Sequence, residues 1–258
     1  MIVLYEHPLS PYAQKVKIAL GEKGLAFEAR MPDFFGADER FTAANPRQEV
    51  PALIDEDTAV FDSTVILEYI EDRWPTPPLL PATPAARARA RMLEDLCDTY
   101  YEAIVWAIFE ITIFQRASGS HAERLLARAT EQIAGANAYL ERQLGLDPWF
   151  GGATFGWADL SIVPVLNAAS LTGNTPAPGS RLAAWLDHAR ARPTVAAVLR
   201  AAEESMPGFR MVNQFIESGQ FKREYRDHRL EWMVRTGAID VVMSGLEKQN
   251  IRFAHELT

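Results

Sequence analysis

Five prolines fall within the ten residues 75–84, Pro-Thr-Pro-Pro-Leu-Leu-Pro-Ala-Thr-Pro. Proline offers no N–H to a helix or a sheet ladder, so regular structure stops here and a stiff linker divides the chain. The texture differs on its two sides. Residues 1–76 alternate short strand-like and helix-like patches. Residues 2–5 (Ile-Val-Leu-Tyr) read as a strand, Pro8-Leu9-Ser10-Pro11 as a turn, and 12–23 as a helix closed by Gly24. A second strand at 27–30 makes this a right-handed parallel crossover. A weak helix over 35–44, a hairpin of 51–55 and 59–61 around Glu56-Asp57, and a helix over 63–74 complete a βαβ-ββα unit. In its first helix Val16, Ala19 and Leu20 share a face, which places Lys15, Lys17 and Glu22 toward water.

Beyond the linker the pattern is helical. Leu93, Leu96, Cys97, Tyr100, Ile104, Ile108 and Ile111 recur at three- and four-residue steps, predicting one long helix over 85–117. Further helices are expected over 123–144, 157–171, 181–190 and 194–204. A last block, 207–258, carries Trp232, Met233, Val241, Val242, Met243 and Leu246, which require burial against something, while 222–229 alternates charge signs like a solvated helix face. The expected architecture is α/β plus all-α: a first domain over 1–76, a linker over 77–84, and a helical domain over 85–258 with a C-terminal extension from about 207.

Charge and cysteine usage narrow the function. Twenty-six Lys and Arg against 34 Asp and Glu leave a net charge of −8. That balance opposes nucleic acid or an anionic membrane as the main partner, since both reward a basic face. A single cysteine, Cys97, allows no intrachain disulfide and no Cys-rich zinc site, so no metal is expected. Its place in the long helix's apolar stripe marks it as a buried thiol. No stretch reaches the roughly 18 consecutive apolar residues of a membrane span, and no leader pattern precedes the first strand. The expected location is the cytoplasm.

Three local features of the first unit carry chemistry. Ser10 stands where a strand ends and a helix begins, beside unpaired N–H groups and the positive end of the helix dipole, as an N-cap or an anion-holding hydroxyl. Val50-Pro51 opens a strand; if the bond is cis, the valine main chain is available to an extended peptide, and otherwise Pro51 is a turn proline. Asp62-Ser63 precedes a helix, where an acid and a hydroxyl either cap it or hold an ammonium and a carboxylate together. Further on, Gly156-Trp157-Ala158-Asp159 reads as a structural helix start.

In this order these residues resemble the cytosolic glutathione transferase superfamily, over residues 2 to about 204. Leu4-Tyr5 … Leu9-Ser10-Pro11-Tyr12 … Lys15-Val16 … Ala19-Leu20 … Glu22-Lys23-Gly24-Leu25 resembles the family's first strand, catalytic turn and first helix. Asn45-Pro46 … Val50-Pro51-Ala52-Leu53 resembles the Asn-Pro-x-x-x-Val-Pro-x-Leu signature, and the run from Phe61 to Ile70 resembles the Glu-Ser-x-x-Ile-x-x-Tyr helix. The resemblance implies a thioredoxin-like glutathione-binding domain and a helical domain that supplies the second-substrate pocket. It implies Ser10 as the donor to the glutathione thiolate, in a serine-type, bacterial or theta-like member. Val50 and cis Pro51 meet the cysteinyl main chain, and Asp62 and Ser63 clamp the γ-glutamyl group. Glu49 adjoins the tripeptide where relatives carry a basic residue or Gln; Arg40 and Arg47 are candidates for its glycine carboxylate. The second substrate is an apolar electrophile, with Tyr12, Tyr101 and Trp106 as pocket residues and Tyr100, Phe109 and Phe114 nearby. A homodimer is implied.

Members of that family specialised for thiol–disulfide exchange tend to carry a cysteine in this turn; this chain has none, so the resemblance implies conjugation, dehalogenation, isomerisation or ether cleavage. Tyr5 is a rival thiolate donor. A non-catalytic glutathione or small-molecule binding protein on the same fold is the alternative function, and a subunit whose tail binds another protein is a third.

Overall fold

Alternate residues of the first strand serve two different cores. In this computed structural model, which describes residues 1–33, 38–218 and 228–251, Ile2 and Leu4 of β1 (Ile2–Tyr5) join the main apolar core, whereas Val3 and Tyr5 join a small cluster on the other face of the sheet. The main core collects Val16, Ile18, Ala19 and Leu20 of α1 (Pro11–Glu22) and Ile66, Leu67 and Ile70 of α3 (Ser63–Arg73). The small cluster lies under α2 (Glu39–Ala44), through Phe41 and Ala44. With β2 (Phe27–Arg30), β3 (Ala52–Asp55) and β4 (Thr58–Phe61) the sheet has the order β2-β1-β3-β4. The β1–β2 pair is parallel, across α1, and the pairs with β3 are antiparallel. The expected thioredoxin-like arrangement is present. The first part of the expected 35–44 helix lies outside the described residues at 34–37; the remainder is α2, capped by the Asp38 carboxylate on the Phe41 N–H.

The linker is tied down from both sides. Lys23, its side chain fully enclosed, donates to the carbonyls of Trp74 at 2.6 Å and Pro77 at 2.8 Å and pairs with Glu71 at 2.7 Å. Glu71 accepts from the N–H groups of Leu79 and Leu80, and the Leu79 carbonyl accepts from Trp157 N at 2.8 Å. Gly156 is required at that last contact, because a Cβ there would lie 2.6 Å from the Leu79 oxygen.

The helical part follows the expected order with several corrections. The segment read as one helix over 85–117 is α4 (Pro84–Leu96), a π-helical turn (Cys97–Tyr101) and α5 (Glu102–Thr112). It ends early because Gln115 takes a left-handed conformation, φ +54°, while Phe114 and Arg116 bond back to Phe109 and Glu110. No glycine announces that stop. α6 (Gly119–Leu144) starts four residues before the expected point, and α7 (Trp157–Leu171) and α8 (Arg181–Arg190) match. α9 (Pro193–Glu217) runs through Pro207, which sequence reading made a break. α10 (His228–Arg235) and α11 (Ile239–Glu247) pack against each other. Their apolar residues are not covered within the chain: Trp232 is 63% exposed, and Val241, Met243 and Leu246 are exposed as well. Most of the charge-alternating 222–229 lies outside the described residues.

The three charges assigned to water on α1 are also corrected. Lys15 is 1% exposed, Lys17 pairs with Glu6 at 2.9 Å, and Glu22 pairs with Arg192 at 2.5 Å and takes the Thr194 hydroxyl. α1 is enclosed because α7 and α9 cover the side that the sheet leaves open.

Candidate active site

The turn from β1 into α1 presents Ser10. Its Oγ accepts from the Ala13 N–H at 3.3 Å, its carbonyl accepts from Gln14 N, and Pro11 follows at the first helical position. A hydroxyl holds one proton and two lone pairs, so accepting from Ala13 leaves the proton to donate outward. It sits at the positive end of α1, where an anion is stabilised.

Tyr5 faces the other way. It is 2% exposed, its ring packs 5.1 Å from that of Phe41, and its hydroxyl engages Arg30. The period-two alternation of β1 that sends Leu4 toward α1 sends Tyr5 beneath α2, away from Ser10.

Two further segments converge on this end of the sheet. Val50-Pro51 is cis, and the β1–β3 ladder ends at the Tyr5–Ala52 pair, so the Val50 main chain lies outside it. Just before it, Asn45 staples the loop, accepting from Arg47 N at 2.9 Å and donating to the Glu49 carbonyl at 2.7 Å. The Glu49 carboxylate pairs with Arg47 at 3.0 Å, which offsets its charge. Arg40 is exposed on α2. On the other side of the sheet's end, Asp62 holds φ +73° and caps α3, its Oδ1 accepting from Thr64 N at 3.0 Å and Val65 N at 3.2 Å. A left-handed conformation in a non-glycine residue costs about 1–3 kcal/mol and persists where the surroundings impose it. Ser63 beside it is buried.

The expected pocket residues separate. Trp106 is half-buried in an aromatic group with Phe109 and Phe114, at ring distances of 5.9 Å, and with Phe209 at 6.1 Å. Phe209 in turn lies 6.1 Å from His7, in the turn that carries Ser10. Tyr101 goes elsewhere: it is fully enclosed in the helical core, donating to Asn137 at 2.8 Å, and offers no surface to a ligand. Tyr12 bridges the two halves by donating to the Asp98 carbonyl at 2.9 Å. Burial, with Glu102, Asp98 and Glu49 nearby, holds its phenol above the usual range.

Sequence reading missed the charges between the halves. Lys15 donates to Glu94 at 2.6 Å and to Asp98 at 2.5 Å; Glu94 also accepts from Thr64 at 2.9 Å and from the Trp157 indole. Burial alone would lower the Lys15 pKa, but the two carboxylates outweigh it and hold it above the usual lysine value. Burial pushes Asp98 up to about 6 and Glu102 up to about 7, with Lys15 opposing the first shift and Tyr12 the second. The four-residue spacing of Glu94, Asp98 and Glu102 was the available signal. Among the described residues no cluster fit to hold a metal occurs, and no helix is long and apolar enough to cross a membrane.

Known proteins resemble this chain in sequence and fold. The family model described as "Glutathione S-transferase, N-terminal domain" matches residues 4–78, and that described as "Glutathione S-transferase, C-terminal domain" matches 123–188. Glutathione S-transferase U28 of Arabidopsis thaliana is 31% identical over 212 residues, 79% of this chain and 90% of that protein. The stringent starvation protein A homolog of Pasteurella multocida is 31% identical over 169 residues, 64% of this chain and 74% of its own length. A glutathione S-transferase of Methylobacterium radiotolerans, solved in complex with glutathione sulfonate, superposes with a TM-score of 0.65 at 32% identity, covering 76% of this chain and 93% of that one. The two family models match in the order in which the halves follow one another, and the chain belongs to the cytosolic glutathione S-transferase superfamily.

Proposed function

We propose that the protein is a serine-type glutathione transferase acting on an apolar electrophilic small molecule, in conjugation or a related dehalogenation, isomerisation or ether cleavage. One observation carries the reading: Ser10 Oγ accepts from Ala13 N and so keeps its proton for a ligand at the start of α1. A thiolate is the nucleophile, and a hydroxyl donor and helix N-terminus favour it over the thiol. In conjugation its sulfur bonds to the electrophilic carbon and the leaving group departs with its electron pair.

The residues near Ser10 fit the rest of the tripeptide. Val50 pairs its main chain with the cysteinyl unit and Pro51 sets the strand's entry; Asp62, whose Oδ1 alone serves the helix cap, offers Oδ2 to the γ-glutamyl ammonium beside Ser63. Arg47, held against Glu49, and Arg40, exposed on α2, are the candidate cations for the glycine carboxylate of such a ligand. Glutathione is thus a co-substrate bound by the domain over 1–76, and the helical domain from 85 receives the electrophile. With this reading go a cytoplasmic location, a two-fold homodimer and a role in detoxification.

Retention on immobilised glutathione, followed by the ultraviolet absorbance of bound thiolate near neutral pH, tests the reading. Retention with ionisation supports it. Retention without ionisation supports the second reading, a non-catalytic glutathione or small-molecule binding protein on this fold; the stringent starvation protein A homologs, whose name carries no transferase chemistry, favour it.

A further inference from the structure

The helices α10 and α11 form a hairpin well beyond residue 188, where the C-terminal family match ends. Main-chain bonds lock both of its turns. At the first, Ala238 N donates to the Met233 carbonyl at 2.8 Å and Gly237 N to that of Val234 at 3.2 Å, with Gly237 at φ +79°. At the second, Asn250 N donates to the Gly245 carbonyl at 3.1 Å and Gln249 N to that of Leu246 at 3.2 Å, with Gln249 at φ +52°. The chain then folds back, and Ile251 lies so close to Gly245 that a Cβ there would be 2.8 Å from its Cγ2. Two such caps make this stretch a defined element and not a trailing end.

The hairpin is built to bury a face that it leaves open. Ile239, Val242, Met243 and Leu246 recur at i, i+3, i+4 and i+7, the spacing of a core-facing helix, yet Val242 alone of the four is half-buried and the others are exposed. Seven large apolar side chains between residues 232 and 251 are 42–63% exposed, Trp232 foremost. Their uncovered surface is on the order of 700 Å², against about 800 Å² per partner in a standard protein–protein interface. Single exposed apolar residues are ordinary, but such a concentration in one short hairpin marks an interaction surface.

Charge selects the occupant. Residues 228–251 hold three basic residues, Arg229, Arg235 and Lys248, and three acidic ones, Glu231, Asp240 and Glu247, in a chain whose net charge is −8. Two copies therefore repel through the remainder of the chain and not through this stretch. A two-fold contact sets each patch against itself, which suits a neutral apolar surface and penalises a surface of one sign. An anionic membrane would instead reward a polar face rich in Lys and Arg, and the balanced sequence offers none. We propose that the α10–α11 hairpin is a self-association surface: the hairpins of two copies pack into a four-helix bundle, with Ile239, Met243 and Leu246 at its centre and Trp232 and Val234 beside them. The inference is independent of the transferase reading, and the surface lies outside both family-matched segments.

The chain's own cysteine makes the test clean. Cys97 is the single cysteine of the sequence, is fully enclosed, and burial holds its thiol well above the usual range, so a cysteine placed on the hairpin is the reactive one. The full chain carrying Leu246→Cys is treated with a short bis-maleimide at micromolar concentration, alone and combined with Met243→Glu, which sets a charge one turn away on the same stripe. Both positions are exposed, so the fold is expected to survive, and Ile239→Glu serves on the same stripe if it does not.

Leu246→Cys is expected to crosslink into pairs, and Met243→Glu to abolish the crosslink. In sedimentation, Met243→Glu is expected to lower the mass about twofold, the step that one closed two-fold contact contributes. Loss of the crosslink upholds the proposal even where the mass is unchanged, since pairing of the bodies would then hold the two copies together. A crosslink that persists in Met243→Glu reports random collision and overturns the proposal, as does the absence of any crosslink in Leu246→Cys. An uncrosslinked chain that floats with phosphatidylcholine vesicles, and ceases to do so in Met243→Glu, overturns it in favour of a lipid surface.

Discussion

Tyr12 of the first helix donates its hydroxyl to the main-chain carbonyl of Asp98, inside the π-helical turn of the long helix. The two features explain each other. In the π turn Glu102 N bonds back five residues to the Cys97 carbonyl, so the Asp98 carbonyl, which an α-helix would have given to Glu102, is open to Tyr12. The same turn carries the Asp98 carboxylate to Lys15. A local defect in one half is thus the docking point for the other.

Lys15→Met is expected to destabilise the protein by about 3–5 kcal/mol, because Glu94, 2% exposed in its side chain, and Asp98 lose the cation that compensates them. Urea unfolding measures this. Lys15→Met/Glu94→Gln is expected to recover part of the loss, and a single variant within about 1 kcal/mol of wild type would contradict the account of the network.

Glu102→Gln tests the raised carboxyl of Glu102. Its folded pKa, about 7, exceeds that of an unfolded glutamate, so between about pH 4.5 and 7 the native state binds more protons and stability from this group falls as pH rises. The variant is expected to be more stable than wild type at pH 8, on the order of 1–3 kcal/mol, with the difference vanishing by about pH 4.5. Thermal melts across that range check the sign.

Replacing Ser10 with alanine is expected to cost about 0.5–2 kcal/mol of stability as a lost N-cap, and more in rate. Removing a donor to a resident anion lowers turnover by about 10²–10³ where water is excluded, and at or below that range in an open cleft. The pH profile of turnover is expected to move to higher pH, with glutathione affinity little changed because the proposed Val50 and Asp62 contacts are untouched. A near-normal rate and unshifted profile would remove Ser10 from the mechanism.

Gly156→Ala is expected to cost about 1–3 kcal/mol by overpacking, since a Cβ would press on the Leu79 carbonyl, which is backbone and already accepts from Trp157. Chemical denaturation of the variant gives the value; a change below about 0.5 kcal/mol would show that the linker yields there.

How much of this was legible depended on how local each cause was. The βαβ-ββα order, the linker, and Ser10, Val50 and Asp62 at element junctions follow from punctuation within a few residues: a proline, a cap, a turn. Lys15 was misplaced because its partners lie 79 and 83 positions away, and helix periodicity gives a polar residue to water when it cannot see a covering helix. Tyr101 was assigned to a pocket because the face that contains it is aromatic; that Asn137 of α6 would enclose it is a tertiary fact. Phe209 escaped because Pro207 reads as a helix stop, yet α9 continues through it.

The Lys23 and Leu79 contacts make the proline stretch a mortise between the halves, not a spacer. Severing the chain after residue 76 would leave Lys23 without the Pro77 carbonyl, and Trp157 N–H without the Leu79 oxygen. Grafting the helical half of one relative onto the sheet half of another therefore calls for transplanting α1, the linker and the start of α7 together, so the recombination unit is wider than either domain.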